Sequence, residues 1–338
     1  MTEWLEVTER SAVAEARRRA MAVADATGLN ARDRERAAIV ATEAATNLLK
    51  HAGRGRFTIF RHGDGGRPAL SIIAVDKGPG IADLDRMSQD GQSTTGSSGT
   101  GLGAMNRLSD VFDIYTTAQG TALTARIAAR DDSSYAEPPV DIGALMETYP
   151  GAAVCGDSWS VRREADAATV MVCDGLGHGS GAHEAAEACR AAFEAAAEAS
   201  PAAMLTTMSQ AAMHTRGAVA MIAHIRRNAA EMTISGIGNI AGIVARNGAA
   251  RRLASRDGRL GGPVPRVRDM TETLAPQETL ILHSDGLRTL RDVESRSGPM
   301  IRAPLTIAAT LLRDDPRGND DACVLVARRA RATAVADV

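Results

Sequence analysis

The chain has 338 residues, enough for about two domains at a typical ~150 residues each. Its 39 Lys and Arg against 41 Asp and Glu leave a formal net charge of −2, and aromatic residues make up only 3%. That balance excludes a general attraction to nucleic acid or an anionic membrane surface, and so few aromatics exclude stacking platforms for single strands.

In chain order, the first predicted elements are two helices. One runs from Ser11 to about Ala26, and the second follows Asn30, a fitting N-cap, and ends near His51 with Gly53 beyond. Strands are predicted at Arg56–Arg61 and Ala69–Val75. The Gly/Ser/Thr-rich stretch Ser88–Gly101 is unsuited to regular structure. A short helix, Ala104–Ser109, and a hairpin, Phe112–Thr116 with Thr121–Ile127, complete a helix-on-sheet sandwich over residues 1–129. The polar run from Asp131 to Pro139, ending in two prolines, reads as a linker over 130–139. Beyond it, over 140–330, strands are predicted at Ala168–Cys173, Ala218–Ile225, Glu231–Ser235, Ala241–Arg246, Thr279–His283 and Ala322–Val326. Helices are predicted at Ala182–Ala199, Ala202–His214 and Pro304–Arg313, and residues 331–338 form a tail.

Three motifs in the first segment carry chemistry. Glu43, Asn47 and His51 recur every four residues, a step that drifts by only about 40°, so they share one side of the second helix. A carboxylate and an amide placed so can hold a hydrated divalent cation and orient a nucleophile. Asp76-Lys77-Gly78-Pro79-Gly80 follows a strand. Its Asp can accept from an exocyclic amine, and Gly78 and Gly80 let the backbone approach a flat ring. Gly99-Thr100-Gly101-Leu102-Gly103 opens a helix and offers free N–H groups to phosphates. Each alone is a weak signal, equally a polar flank, a tight turn or a helix start; their order within one short domain is the signal.

In that order they resemble the GHKL (Bergerat) ATPase domain over about Ser11 to Ile127, in the RsbT/RsbW-like version of bacterial anti-sigma-factor serine kinases. The resemblance implies ATP and Mg²⁺ as ligands, with Asn47 on the metal, Glu43 as base for an incoming serine hydroxyl and Asp76 on adenine. It also implies that Ser88–Gly101 is a lid over the nucleotide.

In the second segment, Asp157, Asp174, Asp285, Asp320 and Asp321 sit at the ends or starts of predicted strands. One such Asp usually marks a turn, but several point to convergence on hard cations, and oxygen-only ligation favours Mg²⁺ or Mn²⁺ over zinc. Asp174-Gly-Leu-Gly-His-Gly179 is the strongest local motif. With Gly156-Asp157, Ser235-Gly-Ile-Gly-Asn239, His283-Ser-Asp-Gly286 and Gly318-Asn-Asp-Asp-Ala322 it resembles the SpoIIE/RsbX-like branch of the PPM protein phosphatases, from about Val140 to Arg328. The resemblance implies an αββα sandwich holding two metals. Asp174 would bridge them, Gly175 would lend its carbonyl, Asp285 and Asp320 would complete the second site, and Asp157 would stand nearby. Asp320 rather than Asp321 rests on a one-residue register. His178 is read either as a general acid or as a turn residue.

The expectation is therefore an α+β chain of two domains, a kinase-like ATPase followed by a phosphatase. Both would act on serine or threonine of STAS-domain proteins that control a sigma factor or another signalling protein. The alternative is a phosphatase whose first domain only binds ATP and a partner. No run approaches the ~18–20 apolar residues of a membrane span, and the acidic Met-Thr-Glu-Trp-Leu-Glu start is no secretory signal. With Cys155, Cys173, Cys189 and Cys323 in no CxxC pair and read as buried thiols, a cytoplasmic location is expected.

Overall fold

Alanines every fourth residue, Ala12, Ala16, Ala20 and Ala24, give helix α1 (Arg10–Thr27) a smooth buried stripe, and alanine is also the best helix former. In the computed structural model α1 stops at Gly28, whose φ of 78° lets its N–H turn back to the carbonyls of Ala24 and Asp25. Asn30 caps α2 (Ala31–Asn47), its side-chain oxygen accepting from Asp33 N–H at 2.9 Å. The structure describes residues 3–64, 66–81, 101–130, 135, 137–197, 200–246, 248–263, 267–290, 293 and 297–330. The chain divides into two units, Thr2–Glu137 and Pro138–Val338.

The first unit lays α1, α2 and α3 (Gly101–Leu108) on one antiparallel sheet of order β1-β2-β3-β5-β4. Its strands are β1 (Leu5–Val7), β2 (Gly55–Asp64), β3 (Arg67–Val75), β4 (Val111–Thr117) and β5 (Gly120–Ala128). Leu70, Ile72 and Ala74 of β3 alternate into the helical layer beside Val40, Ala41 and Ala44 of α2. β1 is a strand that the sequence did not suggest, because three residues are too few to show an alternation. The second predicted helix is also not one α-helix to His51: after Asn47 it widens into a π-helical turn, Leu48–Ala52, closed by Gly53 at φ 76°. The predicted lid, apart from Gly101, lies outside the described residues.

A buried ionic knot ties these elements together. Arg36 bonds Asp33 Oδ1 and Asp110 Oδ2, both at 2.7 Å, and its Nε donates to Leu108 O at 2.8 Å. Asp33 Oδ2 accepts from Arg130 N–H at 2.9 Å and Asp110 Oδ2 from Ala128 N–H at 2.7 Å. Burial pushes the Asp110 carboxyl up, but the Ala128 N–H and the Arg36 guanidinium outweigh it and hold the group below its ordinary range.

The second unit is a sandwich of two five-stranded antiparallel sheets, of orders β13-β10-β9-β8-β7 and β12-β11-β14-β15-β6. The first comprises β7 (Asp157–Arg163), β8 (Ala167–Gly175), β9 (Ala218–Arg226), β10 (Glu231–Ile237) and β13 (Met270–Thr273). The second comprises β6 (Val140–Glu147), β11 (Ala241–Arg246), β12 (Ala249–Leu253), β14 (Thr279–His283) and β15 (Ala322–Arg329). Ala168, Val170 and Val172 of β8 meet Ile142, Leu280 and Leu325 between the sheets. Met171 and Cys173, on its other face, pack under Cys189 and Phe193 of α4 (Ser180–Ala195) and Met204 of α5 (Pro201–Ala211). Burial on both faces is why β8 reads as a continuous apolar run. On the outer side of the other sheet, α6 (Pro304–Asp314) approaches β6 so closely that a Cβ on Gly143 would lie 2.2 Å from Leu305 N. The layers are thus helix, sheet, sheet, helix. The helix predicted to Ala199 ends at Ala195 because Ser200 and Pro201 start a new one, with Ser200 Oγ accepting from Ala203 N–H. All four cysteines are buried free thiols. Among the described residues, no helix is long and apolar enough to cross a membrane.

Candidate functional site

The first unit gathers its candidate residues around the C-terminal end of α2. Glu43 and Asn47 stand one above the other on α2, and Gly101 faces both of them. A Cβ on Gly101 would lie 2.9 Å from Glu43 Oε2 and 3.9 Å from Asn47 Oδ1. The glycine therefore lets the start of α3 come up against the carboxylate. Leu102 and Gly103 are buried in the contact of α3 with α2, while Gly99 and Thr100 lie outside the described residues.

Asp76 ends β3, and its Oδ1 accepts the N–H groups of Gly78 at 2.8 Å and Thr121 at 3.3 Å. Gly78 fits against the last residue of the π-helical turn, a Cβ there standing 2.7 Å from Ala52 Cβ, so that turn carries α2 onto the Asp76 loop. Gly80 has φ 72°, and a Cβ on it would sit 2.0 Å from Thr117 O. Thr116 Oγ1 accepts from Ile81 N–H at 2.9 Å and lies 3.0 Å from Thr121 Oγ1. These two threonines were not singled out from the sequence. They belong to a hairpin whose role only pairing reveals.

The second unit brings its aspartates to one end of the sandwich. Asp157, which begins a strand rather than following one, stands directly opposite Asp174 in the β7–β8 ladder. Asp157 is almost fully buried and accepts from Ser284 Oγ–H at 2.6 Å, while Ser284 Oγ accepts from Cys323 N–H at 2.8 Å. This relay ties the first sheet's aspartate to the second sheet. Asp285 accepts from Asn239 Nδ2 at 2.8 Å. Ser284 and Asn239 lie inside stretches already notable in the sequence, yet only the structure shows them as partners of carboxylates.

The neighbouring pair Asp320 and Asp321 divide their tasks. Asp321 commits both oxygens to backbone, accepting from Tyr149 N–H at 2.7 Å and Gly156 N–H at 2.8 Å. Asp320 uses Oδ1 on Asp321 N–H at 2.9 Å. Gly175 takes a place no larger residue could, since a Cβ on it would be 2.0 Å from Ala182 O. His178 is exposed at the lip and stacks on Tyr149, with centroids 5.2 Å apart and planes 14° from parallel.

The electrostatics follow from burial first and from crowded like charges second. Burial and the facing Asp174 carboxylate push Asp157 well up. Burial, then Asp285, Asp320 and Asp321, push Asp174 up to about 7. Burial also raises Asp320, with Asp285 and Asp321 adding to it, while Asp321 N–H and the nearby His178 act the other way. Among the described residues none of these five carboxylates has a Lys or Arg ion-pair partner. No three acidic, His or Cys side chains among the described residues are drawn tightly enough together to chelate an ion as they stand. The donors nevertheless suit a hard divalent cation: all are oxygen, they repel one another, and no described Lys or Arg pairs with them.

Comparison with known proteins separates the chain the same way. The family described as histidine kinase-like ATPase domain matches residues 6–127, and the family of stage II sporulation protein E matches residues 164–330. The serine/threonine-protein kinase RsbT of Bacillus subtilis strain 168 is 36% identical over 126 residues, which span 37% of this chain and 90% of RsbT. Phosphoserine phosphatase RsbX of the same organism is 29% identical over 138 residues, 40% of this chain and 69% of RsbX. A crystal structure of RsbX in complex with magnesium shares the fold, with a TM-score of 0.51 and 23% identity over 56% of this chain and 96% of that one.

Proposed function

Given that this chain belongs to the histidine kinase-like ATPase family through an RsbT-like first unit and carries a SpoIIE-type phosphatase domain after it, we propose that it adds and removes phosphate on serine or threonine of STAS-domain proteins in bacterial partner switching. The functional units in this reading are residues 1–129 and 140–330, joined by 130–139, in a cytoplasmic protein. The observation that carries it is the set of five carboxylates that have no Lys or Arg ion-pair partner among the described residues, beside a glycine loop that presents His178.

For the phosphatase, Asp174, the Gly175 carbonyl, Asp285 and Asp320 would hold the metal pair, with Asp157, opposite Asp174 in the ladder, nearby. Bound there, Mg²⁺ or Mn²⁺ supplies polarisation of phosphoryl oxygens and a more acidic water. The protein's part is positional. Ser284 fixes Asp157, Asn239 fixes Asp285, and Asp321 pins the backbone of Tyr149 and Gly156 so that Asp320 keeps a free oxygen. In this reading His178, exposed and stacked on Tyr149, would protonate the serine oxygen as the phosphorus–oxygen bond breaks.

For the kinase, Asn47 holds Mg²⁺ with ATP, Asp76 receives the adenine amine beside Gly78 and Gly80, and the Gly99–Gly103 loop receives the phosphates. Glu43 takes the proton of the incoming hydroxyl as its oxygen bonds the γ-phosphorus and ADP departs. The close approach of Gly101 to Glu43 supports this, since it sets the start of α3 against the carboxylate proposed as base.

The test is sequential. Asp174→Asn should lower Mn²⁺-dependent hydrolysis of a phosphoserine peptide by at least 100-fold, and EDTA should abolish it in the unaltered chain. In the Asp174→Asn background, γ-labelled ATP should label a STAS-domain protein, and Glu43→Ala should stop labelling by roughly 10²–10⁴-fold without changing nucleotide affinity. Hydrolysis surviving EDTA would overturn the phosphatase reading. Nucleotide binding with no label on any STAS partner would leave the first unit a binding module.

A further inference from the structure

An arginine lies across the loop that joins Asp174 to α4. β8 and β9 pair Gly175 with Ala218, and the ladder continues as Leu176 N–H donates to Gly217 O at 2.9 Å. Arg216 is the next residue back along that edge, so its backbone is fixed beside the loop that carries Asp174 and His178. Its side chain then runs over residues 177–181. Nη1 donates to His178 O at 3.4 Å, a long contact that leaves most of the guanidinium's five donors free.

The seat is built from missing side chains. A Cβ on Gly181 would lie 2.6 Å from Arg216 Nε and 2.9 Å from its Cζ, and a Cβ on Gly177 would lie 3.2 Å from Nη1. Two glycines thus leave room for the planar group to lie against the loop. Gly177 has φ 89°, which by itself favours glycine; Gly181, inside α4, has no such backbone reason. Arg216 is exposed and makes no ion pair among the described residues. Arg216 is therefore, among the described residues, an uncompensated cation lying against the loop that carries Asp174 and His178.

Resting on the phosphatase reading above, we propose that Arg216 receives the peripheral phosphoryl oxygens of the phosphorylated substrate and so sets its affinity. A phosphate dianion entering among five carboxylates needs donors on its outward oxygens, and a guanidinium fork matches two of them at once, which an ammonium cannot. The residue binds substrate; it takes no proton and forms no bond to phosphorus.

The experiment uses the full chain with Mn²⁺. Arg216→Ala should raise KM for a phosphoserine peptide and the inhibition constant of inorganic phosphate, each by about tenfold or more. The Mn²⁺ concentration for half-activation and the melting temperature should stay unchanged. Arg216→Lys should recover part of the loss, and Gly181→Ala, which fills the seat but keeps the charge, should reproduce it. Titration of inorganic phosphate into the Mn²⁺-loaded protein by calorimetry gives the same comparison without turnover. An unaltered chain that binds phosphate but does not hydrolyse the peptide would refute the phosphatase reading and still test Arg216. Equal phosphate affinity in the unaltered and Arg216→Ala chains would overturn the proposal. So would a fall in kcat accompanied by a shifted Mn²⁺ requirement, which would make Arg216 a support for the loop.

Discussion

Two adjacent aspartates with the same side chain have different surroundings, and the difference can be measured. Asp321 has both oxygens on backbone N–H groups, so Asp321→Asn would turn an amide NH₂ toward a donor and leave a buried N–H unsatisfied, at a cost of about 1–3 kcal/mol. Its melting temperature should fall. Asp320→Asn should melt like the unaltered chain yet lose Mn²⁺-dependent phosphopeptide hydrolysis by at least tenfold. Matching melting curves for the two variants would contradict this division. The sequence shows both aspartates and their strand but not which oxygen is occupied, because the partners, Tyr149 and Gly156, are more than 160 residues away along the chain. Arg216 was equally illegible. Its neighbours Thr215 and Gly217 look like an ordinary turn, and only the β8–β9 register sets it against Gly177 and Gly181.

Elements were more legible than their joints. The spans of α1 and α2 and the Asn30 cap could be read in the sequence, because helix propensity and capping are local. β1, the π-helical turn and the whole of β6 were not, since each depends on what it pairs with or packs against. The joint between α2, α3 and the β5 end rests on Arg36. Truncating it to Met would leave Asp33, wholly buried, with only the Arg130 N–H, and would free the Leu108 carbonyl. The expected loss is about 3–5 kcal/mol, read as a lower midpoint in urea for the first unit's transition. A change below about 1 kcal/mol would mean that the knot is replaceable by packing.

At the scale of the whole molecule, two units with separate cores should respond to separate ligands. A species that binds only the folded state raises its stability by RT ln(1 + [L]/Kd), about 2.7 kcal/mol at a hundred times Kd. Calorimetric melting should therefore show MnCl₂ raising one transition and ATP, added afterwards, raising the other, with Asp174→Asn weakening only the first response and Asn47→Ala only the second. One transition moved equally by both ligands would contradict independent units. The two units are also stretches of a single polypeptide, so they occur in a ratio of one to one in every cell, at every level of expression. Gene dosage and transcriptional noise scale both together and would cancel from any quotient of the two activities proposed for them. What remains to tilt that quotient is chemical: the supply of nucleotide, of divalent metal, and of the protein on which both would act.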